Sequence, residues 1–171
     1  ALAAGRRVAL LRYGHPTFLA SLSEALLAEC RRRGIEYRIL NAVSSLDSVL
    51  AALELTALGT GLQVFDAYDL CEAGSPGPNP RLPSVIMKVG RLAAAGRLDV
   101  FLSRLSAVYP PGHAAVLIEC ASLRRGEGRR DLALESLREP LADGAEFATL
   151  YVPALEPGSR RPSEGISRRE T

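Results

Sequence analysis

The stretch from Arg6 to Leu46, RRVALLRYGHPTFLASLSEALLAECRRRGIEYRILNAVSSL, decides the fold class. Its residues 8–11 (VALL) form a short apolar run, which is typical of a strand buried on both faces of a parallel sheet. Residues 37–40 (YRIL) form a second run of this kind, and the residues between the two runs have helical periodicity. The stretch therefore predicts a right-handed strand–helix–strand crossover unit and an α/β fold.

The predicted helix of this unit follows a turn at Gly14-His15-Pro16 and begins at Thr17. Its apolar residues recur at helical spacing and predict one buried face: Phe18, Leu22, Ala25, Leu26 and Cys30. Three arginines and then Gly34 predict its end, because Gly suits the residue after a helix and basic side chains suit the last turn. Ser44 or Ser45 is a candidate N-cap for the next helix, over residues 46–55.

The rest of the chain continues the alternation of strands and helices. We expect strands at residues 62–67, 84–89, 114–120 and 147–152, helices at 92–109 and 129–137, and an exposed Pro- and Gly-rich loop at 73–83. A loop at 58–61 divides the prediction into the remainder of an N-terminal lobe (1–60) and a C-terminal lobe (61–155). Residues 1–5 resemble the end of a helix, and the polar composition of 156–171 predicts a flexible tail.

Composition excludes several classes of function. The net charge of +2 indicates neither nucleic-acid nor membrane binding, and only one of the 21 basic residues is lysine, which indicates codon bias. The three cysteines form no CxxC pair, so we expect no metal site, no disulfide framework and a cytoplasmic location. No apolar stretch is long enough to span a bilayer.

The order of these motifs resembles the tetrapyrrole methylase superfamily of S-adenosylmethionine (SAM)-dependent methyltransferases. That family has a Gly-Asp-Pro turn after one strand and a Pro-Gly-x-Ser-Ser turn after the next, where this chain has Gly14-His15-Pro16 and Asn41-Ala42-Val43-Ser44-Ser45. The segments QVFDAYDL (63–70), VIMKVG (85–90), AAVLIECAS (114–122) and ATLYVPA (148–154) are similar to strands of the family's second lobe. The forms YGHP, DAYDL and KVG are most similar to a subgroup that includes borosin-type peptide-backbone N-methyltransferases.

The resemblance implies a two-lobed fold in which the family's first strand, its Gly-rich loop and the helices after it are missing from this sequence. It also implies SAM as the cofactor, a homodimer, and methyl transfer to a small molecule or a peptide. The alternative is a non-catalytic module, derived from that family, that binds SAM or a partner. The residues that match the family's cofactor-binding positions are Tyr13, Gly14, His15, Pro16, Phe18, Ser44, Ser45, Met87, Lys88, Val89, Ala121 and Thr149.

Each of these residues also has a purely structural interpretation. His15 could lie in an ordinary turn and point to solvent, the two serines could only cap a helix, and the residues at 87–89 could be core. Lys88 stands out, because a single charge in an apolar segment needs a partner. Asp66, Tyr68 and Asp69 could orient a substrate or accept a proton, and could equally cap a turn. His113 is interpreted as a surface loop residue, and no residue is assigned as catalytic.

Overall fold

A computed structural model of the chain describes residues 7–55, 59, 61–119, 128–143 and 147–156. The chain divides into two compact units, residues 1–48 and 49–171. Residues 56–58 and 60 fall outside the described ranges, so the predicted lobes 1–60 and 61–155 stay predictions. The predicted helix end at 1–5 and the predicted tail beyond Glu156 also lie outside the described residues.

The first unit contains helix α1 (Ser21–Arg32) and the beginning of helix α2 (Ser45–Ala52). The predicted stop at Gly34 is confirmed, because Gly34 has a φ of 63° and follows the C-cap residue Arg33 in a Schellman motif. In that motif the N–H of Ile35 donates to the carbonyl of Cys30 at 2.9 Å, and the N–H of Gly34 donates to that of Arg31 at 3.2 Å.

The two strands predicted in this unit are wrong. Residues 8–11 and 37–40 belong to no strand, and their apolar side chains are exposed, with Leu11 92% exposed. A run of apolar residues forms a strand only where a neighbouring strand satisfies its N–H and C=O groups. In the described part of the chain, neither segment has such a neighbour.

The predicted start of α1 is also wrong, and of its predicted buried face only Cys30 is buried. The helix begins at Ser21, four residues after the predicted start, because residues 16–19 form a turn in which Leu19 has a φ of 44°. Leu22 and Leu26 are exposed, whereas Ser23 and Cys30 are buried. Periodicity predicts that a stripe exists, but a stripe is buried only where another element lies over it, and residues 8–11 and 37–40 form no sheet for α1 to cover.

The second unit contains a five-stranded mixed sheet. The strands are β1 (Gln63–Asp66), β2 (Ser84–Met87), β3 (Ala114–Glu119), β4 (Gly128–Ala133) and β5 (Ala148–Val152). They lie in the order β1–β2–β5–β3–β4, and β1 and β2 are parallel while the other neighbouring pairs are antiparallel.

Helices pack on one face of this sheet and form the core with it. They are α3 (Ala67–Leu70), α4 (Leu98–Ser106) and α5 (Arg138–Ala142), with two short 3₁₀ helices, Val89–Arg91 and Leu134–Ser136. Within the helix predicted over 92–109, Leu98, Phe101 and Leu105 are buried in the core and Leu102 packs against it. That helix is shorter than predicted, since Gly96 has a φ of 66°, which interrupts the helical path before Leu98.

The predicted helix at 129–137 is wrong over its first half. Residues 128–133 form the edge strand β4, which pairs with β3 from Ala114↔Ala133 to Glu119↔Gly128. The segment RRDLALESL contains good helix formers, but strand pairing overrides this weak local preference. The other strands lie close to their predicted positions. Strands β1 and β2 are each two residues shorter than predicted and β5 is one residue shorter, while the last residue predicted for β3, Cys120, lies outside the described residues. No described helix is long and apolar enough to cross a membrane.

Candidate functional site

One edge of the sheet brings four strand ends together. The C-terminal ends of the parallel strands β1 and β2 lie there, beside the start of β5 and the end of β3. We call this the site edge, and it contains Asp66, Met87, Thr149 and Glu119. In α/β sheets, ligands bind outside the carboxyl ends of parallel strands. The predicted residues Met87, Lys88 and Thr149 therefore lie where the topology favours a ligand.

Two buried side chains from neighbouring strands meet at the site edge. The hydroxyl of Thr149 donates to the sulfur of Met87 at 3.7 Å. Both residues lie on the sheet face opposite the helical core, since Ile86 and Leu150, their neighbours along the strands, point into that core. A thioether is a weak acceptor, so the buried hydroxyl of Thr149 retains capacity for a stronger partner.

Lys88 has the partner that its sequence context requires. Its ammonium group pairs with the carboxylate of Asp66, whose side chain is only 11% exposed. Lys88 lies just after β2, not within the predicted strand, and has a φ of 65°, a left-handed conformation that is uncommon for a residue with a side chain. Such conformations cluster at functional sites, so this one supports the prediction that residues 87–89 bind a ligand.

Asp66 also caps the next helix, as its structural interpretation expects. Its Oδ1 accepts the backbone N–H of Tyr68 at 3.0 Å, at the start of α3. The hydroxyl of Tyr68 donates to the carbonyl of Arg91 at 3.4 Å, and the guanidinium of Arg91 lies 5.6 Å from the ring centroid of Phe147. Arg91 and Phe147 were not predicted to contribute here, and no motif in the sequence links them.

In the first unit, the structure brings together the two predicted turns. Gly14 has a φ of 78°, and a Cβ atom on it would lie 3.9 Å from the carbonyl oxygen of Val43. The Gly14-His15-Pro16 turn is thus adjacent to the turn that precedes α2. The positive φ is the reason for glycine at this position, because the space around it would allow a Cβ atom in ordinary van der Waals contact.

His15 is held in its turn by Thr17. The Nδ1 atom of His15 accepts the backbone N–H of Thr17 at 3.3 Å. A ring that accepts at Nδ1 carries a proton at Nε2, so this nitrogen is a donor for a hydroxyl or carboxylate. The turn is not the N-terminus of α1, which begins at Ser21, so the helix dipole does not contribute to anion binding at His15.

Ser44 caps helix α2 in a reciprocal arrangement with Asp47. The hydroxyl of Ser44 donates to Oδ2 of Asp47 at 2.7 Å, the N–H of Ser44 donates to the same oxygen at 2.6 Å, and the N–H of Asp47 donates to the Ser44 hydroxyl at 3.4 Å. Bonds from the hydroxyl and then the backbone of Ser44 hold the pKa of Asp47 below its ordinary value. Asp47 was missed, although Ser-x-x-Asp is a recognisable capping pattern.

The remaining predicted site residues are less favourably placed. Tyr13 is 89% exposed, Ser45 is exposed and Phe18 is half-buried. The side chain of Val89 is buried in the core against the helices, so only its backbone remains available. Ala121 lies outside the described residues.

His113 is a structural residue with more contacts than a surface loop residue has. Its ring stacks on that of Tyr109 with centroids 5.1 Å apart, and its Nε2 lies 2.8 Å from the carbonyl oxygen of Pro153, to which it donates.

A cavity of about 530 Å³ lies near His113 and is lined in part by Leu102, Pro111 and Arg138, but by none of the predicted site residues. Among the described residues, no cluster of His, Cys, Asp and Glu could hold a metal ion.

Comparison with known protein families identifies the family of this chain. The family model of the tetrapyrrole (corrin/porphyrin) methylases matches residues 1–138, which is more than half of the 171 residues. The chain belongs to the tetrapyrrole methylase family.

Curated relatives of this tetrapyrrole methylase include proteins that are named as methyltransferases and borosin cyclic peptide precursors. A type II borosin methyltransferase and cyclic peptide precursor from Phlebiopsis gigantea is 27% identical over 160 residues, which are 88% of this chain and 29% of the relative. A type I protein of the same description from Gymnopilus junonius is 27% identical over 110 residues, or 61% of this chain and 26% of the relative. The chain thus spans less than a third of the length of either relative.

Solved structures with a similar fold are named as methyltransferases. Uroporphyrin-III C-methyltransferase from Thermus thermophilus superposes with a TM-score of 0.59 at 26% identity, over 82% of this chain and 60% of that one. A complex of an enzyme of that name with S-adenosylhomocysteine (SAH) has a TM-score of 0.52 at 20% identity, over 82% and 62%. The mixed α/β fold of the second unit therefore agrees with the expected family architecture.

Proposed function

We propose that this tetrapyrrole methylase is a SAM-dependent methyltransferase. The observation that carries the proposal is the family match over residues 1–138. The names of the relatives support it, since each describes a methyltransferase, and one solved relative is a complex with SAH.

The residues at the site edge are chemically suited to SAM. Met87 offers an apolar side chain for a purine, the buried hydroxyl of Thr149 retains hydrogen-bonding capacity, and the left-handed turn at Lys88 exposes backbone groups beside them. In the first unit, the left-handed conformation at Gly14 allows close backbone approach, and Nε2 of His15 is a donor for a ribose hydroxyl or a carboxylate. The proposed binding residues remain those of the sequence prediction, with Lys88 and Val89 contributing through their backbones.

The chemistry that SAM supplies is an electrophilic methyl group on a sulfonium. The chain's own residues contribute binding and orientation: Thr149 and Met87 on the sheet, and Gly14, His15 and Ser44 on the two adjacent turns. Orientation of this kind lowers the barrier by making the reaction effectively unimolecular. No described residue is assigned as the base that removes the acceptor's proton.

We propose a peptide as the acceptor, in preference to a tetrapyrrole. The support is the naming of curated relatives as borosin cyclic peptide precursors, together with the YGHP, DAYDL and KVG forms in this sequence. A small-molecule acceptor is the alternative. Incubation with radiolabelled SAM and either a synthetic peptide or uroporphyrin III separates a peptide from a tetrapyrrole acceptor, since label is expected on the peptide alone.

We also propose a cytoplasmic homodimer. The buried cysteines Cys30 and Cys71 are free thiols, which accords with a reducing compartment. The first unit exposes large apolar side chains, among them Leu11, Leu22 and Leu40, which would suit an interface between copies. Light scattering after size exclusion tests the dimer.

Calorimetric titration with SAH tests the central proposal. We expect the full-length protein to bind, and His15→Ala and Thr149→Val each to weaken binding about tenfold, which corresponds to the loss of about 1.4 kcal/mol. Asp99→Asn is the control, because Asp99 is exposed and pairs with Arg138 away from the site edge. Absence of SAH binding by the unsubstituted protein would refute the function.

The second candidate is a non-catalytic SAM-binding or partner-binding module. It is favoured by the first unit, in which the predicted strands at 8–11 and 37–40 do not form. The two candidates separate in one assay. A module that only binds SAM binds SAH but transfers no label to any acceptor, and a partner-binding module binds neither SAM nor SAH.

A further inference from the structure

Asp66 connects two turns that follow neighbouring parallel strands. Its Oδ1 accepts the N–H of Tyr68 after β1, and its Oδ2 pairs with the ammonium group of Lys88 after β2. Asp66 and Met87 are opposite each other in the β1–β2 register, so this carboxylate lies at the last paired position of the two strands. A single side chain therefore fixes the geometry of both strand ends.

The conformation at Lys88 needs a restraint of this kind. A left-handed backbone places Cβ close to the following carbonyl, so Lys88 would favour another conformation in a free chain. The backbone contributes one restraint, since the carbonyl of Lys88 accepts the N–H of Arg91 at 3.3 Å in the 3₁₀ turn. The ion pair adds a second restraint through the side chain.

The carboxylate of this ion pair is less exposed than the carboxylates of the other ion pairs described in the unit. The Asp66 side chain is 11% exposed and that of Lys88 is 42% exposed, whereas those of Asp99 and Arg138 are 81% and 62% exposed. Coulomb attraction is less screened in the less exposed pair, and an unpaired carboxylate there would be costly.

We propose that Asp66 is a positioning residue for the cofactor site. Through Lys88 it holds the turn at residues 87–89 in its left-handed conformation, and so keeps the Met87 side chain against Thr149 and the turn backbone in place for the ligand. Asp66 itself does not touch the cofactor. This inference rests on the proposed function, because the ligand that benefits from the turn is SAM.

We call the Asp66–Lys88 ion pair, together with the turn that it holds, the clamp. Three substitutions separate its components. Asp66→Asn keeps an oxygen that can cap α3 but removes the charge. Lys88→Met removes the charge and leaves the backbone strained. Lys88→Gly removes the charge as well, but glycine adopts a positive φ without cost. The exposed pair Asp99–Arg138 supplies the matched control, Asp99→Asn.

The expected result is a difference between the two Lys88 variants. In calorimetric titrations of the full-length protein with SAH, Asp66→Asn and Lys88→Met bind about tenfold more weakly than the unsubstituted protein, whereas Lys88→Gly binds within about threefold of it. Asp99→Asn leaves affinity unchanged. A purely stabilising ion pair would instead make Lys88→Gly as weak as Lys88→Met, or would change unfolding without changing affinity, and either outcome overturns the proposal.

Hydrogen exchange of the Arg91 amide gives a readout that needs no ligand. We expect this amide to exchange about tenfold faster in Lys88→Met and Asp66→Asn than in the unsubstituted protein, and to be restored in Lys88→Gly. Equal exchange in all variants overturns the clamp. The titration of the unsubstituted protein tests the proposed function separately, so failure of the function and failure of the clamp are distinguishable. If Asp66→Asn does not fold, the comparison of the two Lys88 variants decides.

Discussion

At the level of single residues, Glu29 has the largest pKa shift in the part of the chain that the structure describes. Its carboxylate accepts hydrogen bonds from Arg32, at 2.6 and 2.7 Å, and from Arg33, and these bonds lower its pKa from 4.5 to about 2. The contribution of these bonds to the stability of helix α1 is therefore fully present above pH 4.5 and is lost as the pH falls through about 2.

We predict that NMR titration of the Glu29 carboxyl group gives a midpoint well below 4.5. Replacing both partners, Arg32→Gln with Arg33→Gln, should return the midpoint to the ordinary value, because the charge-assisted bonds are then gone. A midpoint near 4.5 in the unsubstituted protein would show that the bonds do not persist in solution.

Sequence reasoning succeeds at residues whose role is local. Gly34 as a helix stop, Ser44 as a cap and the need of Lys88 for a partner all follow from short-range chemistry and are confirmed. The partner itself could not be predicted. Asp66 is 22 residues from Lys88 in the sequence, and the two meet only because β1 pairs with β2, which no local pattern specifies.

At the level of elements, α4 contributes three buried side chains to the core, those of Leu98, Phe101 and Leu105. Phe101 and Leu105 are buried against the sheet, whereas Val100 on the outer face is exposed. We predict that Phe101→Ala lowers the free energy of unfolding by about 3–5 kcal/mol, measured by urea denaturation, because it leaves a cavity in a closed core. Val100→Ala is the matched control, with an expected change within about 0.5 kcal/mol. Similar losses for the two variants would contradict the burial of this helix face.

Elements are predictable where pattern and partner agree. The strands at 63–66, 84–87, 114–119 and 148–152 all have neighbours in the sheet and lie close to their predicted positions. The runs at 8–11 and 37–40 have the same composition but no neighbouring strand among the described residues, so the same rule fails there. Residues 128–133 fail in the opposite direction, because pairing with β3 forms a strand from residues that favour a helix.

At the level of the whole molecule, the family is predicted by the resemblance of motifs, whereas the physical pattern of the sequence alone predicts only the fold class. The periodicity of the sequence predicts an α/β protein, and the order of the turns and strands predicts the tetrapyrrole methylases, which the family match confirms. The acceptor was not predictable as more than a class, because the residues that would recognise it have no signature in this sequence.

The measurement that tests the account most directly is the mapping of SAH on the protein by NMR. Our account predicts that SAH shifts the signals of Met87, Thr149, Gly14 and His15 and leaves those of Leu102 and Arg138, beside the cavity on α4, unchanged. A protein that shows no shifts with SAH, or shows them only around that cavity, would contradict the assignment of this site and of its function.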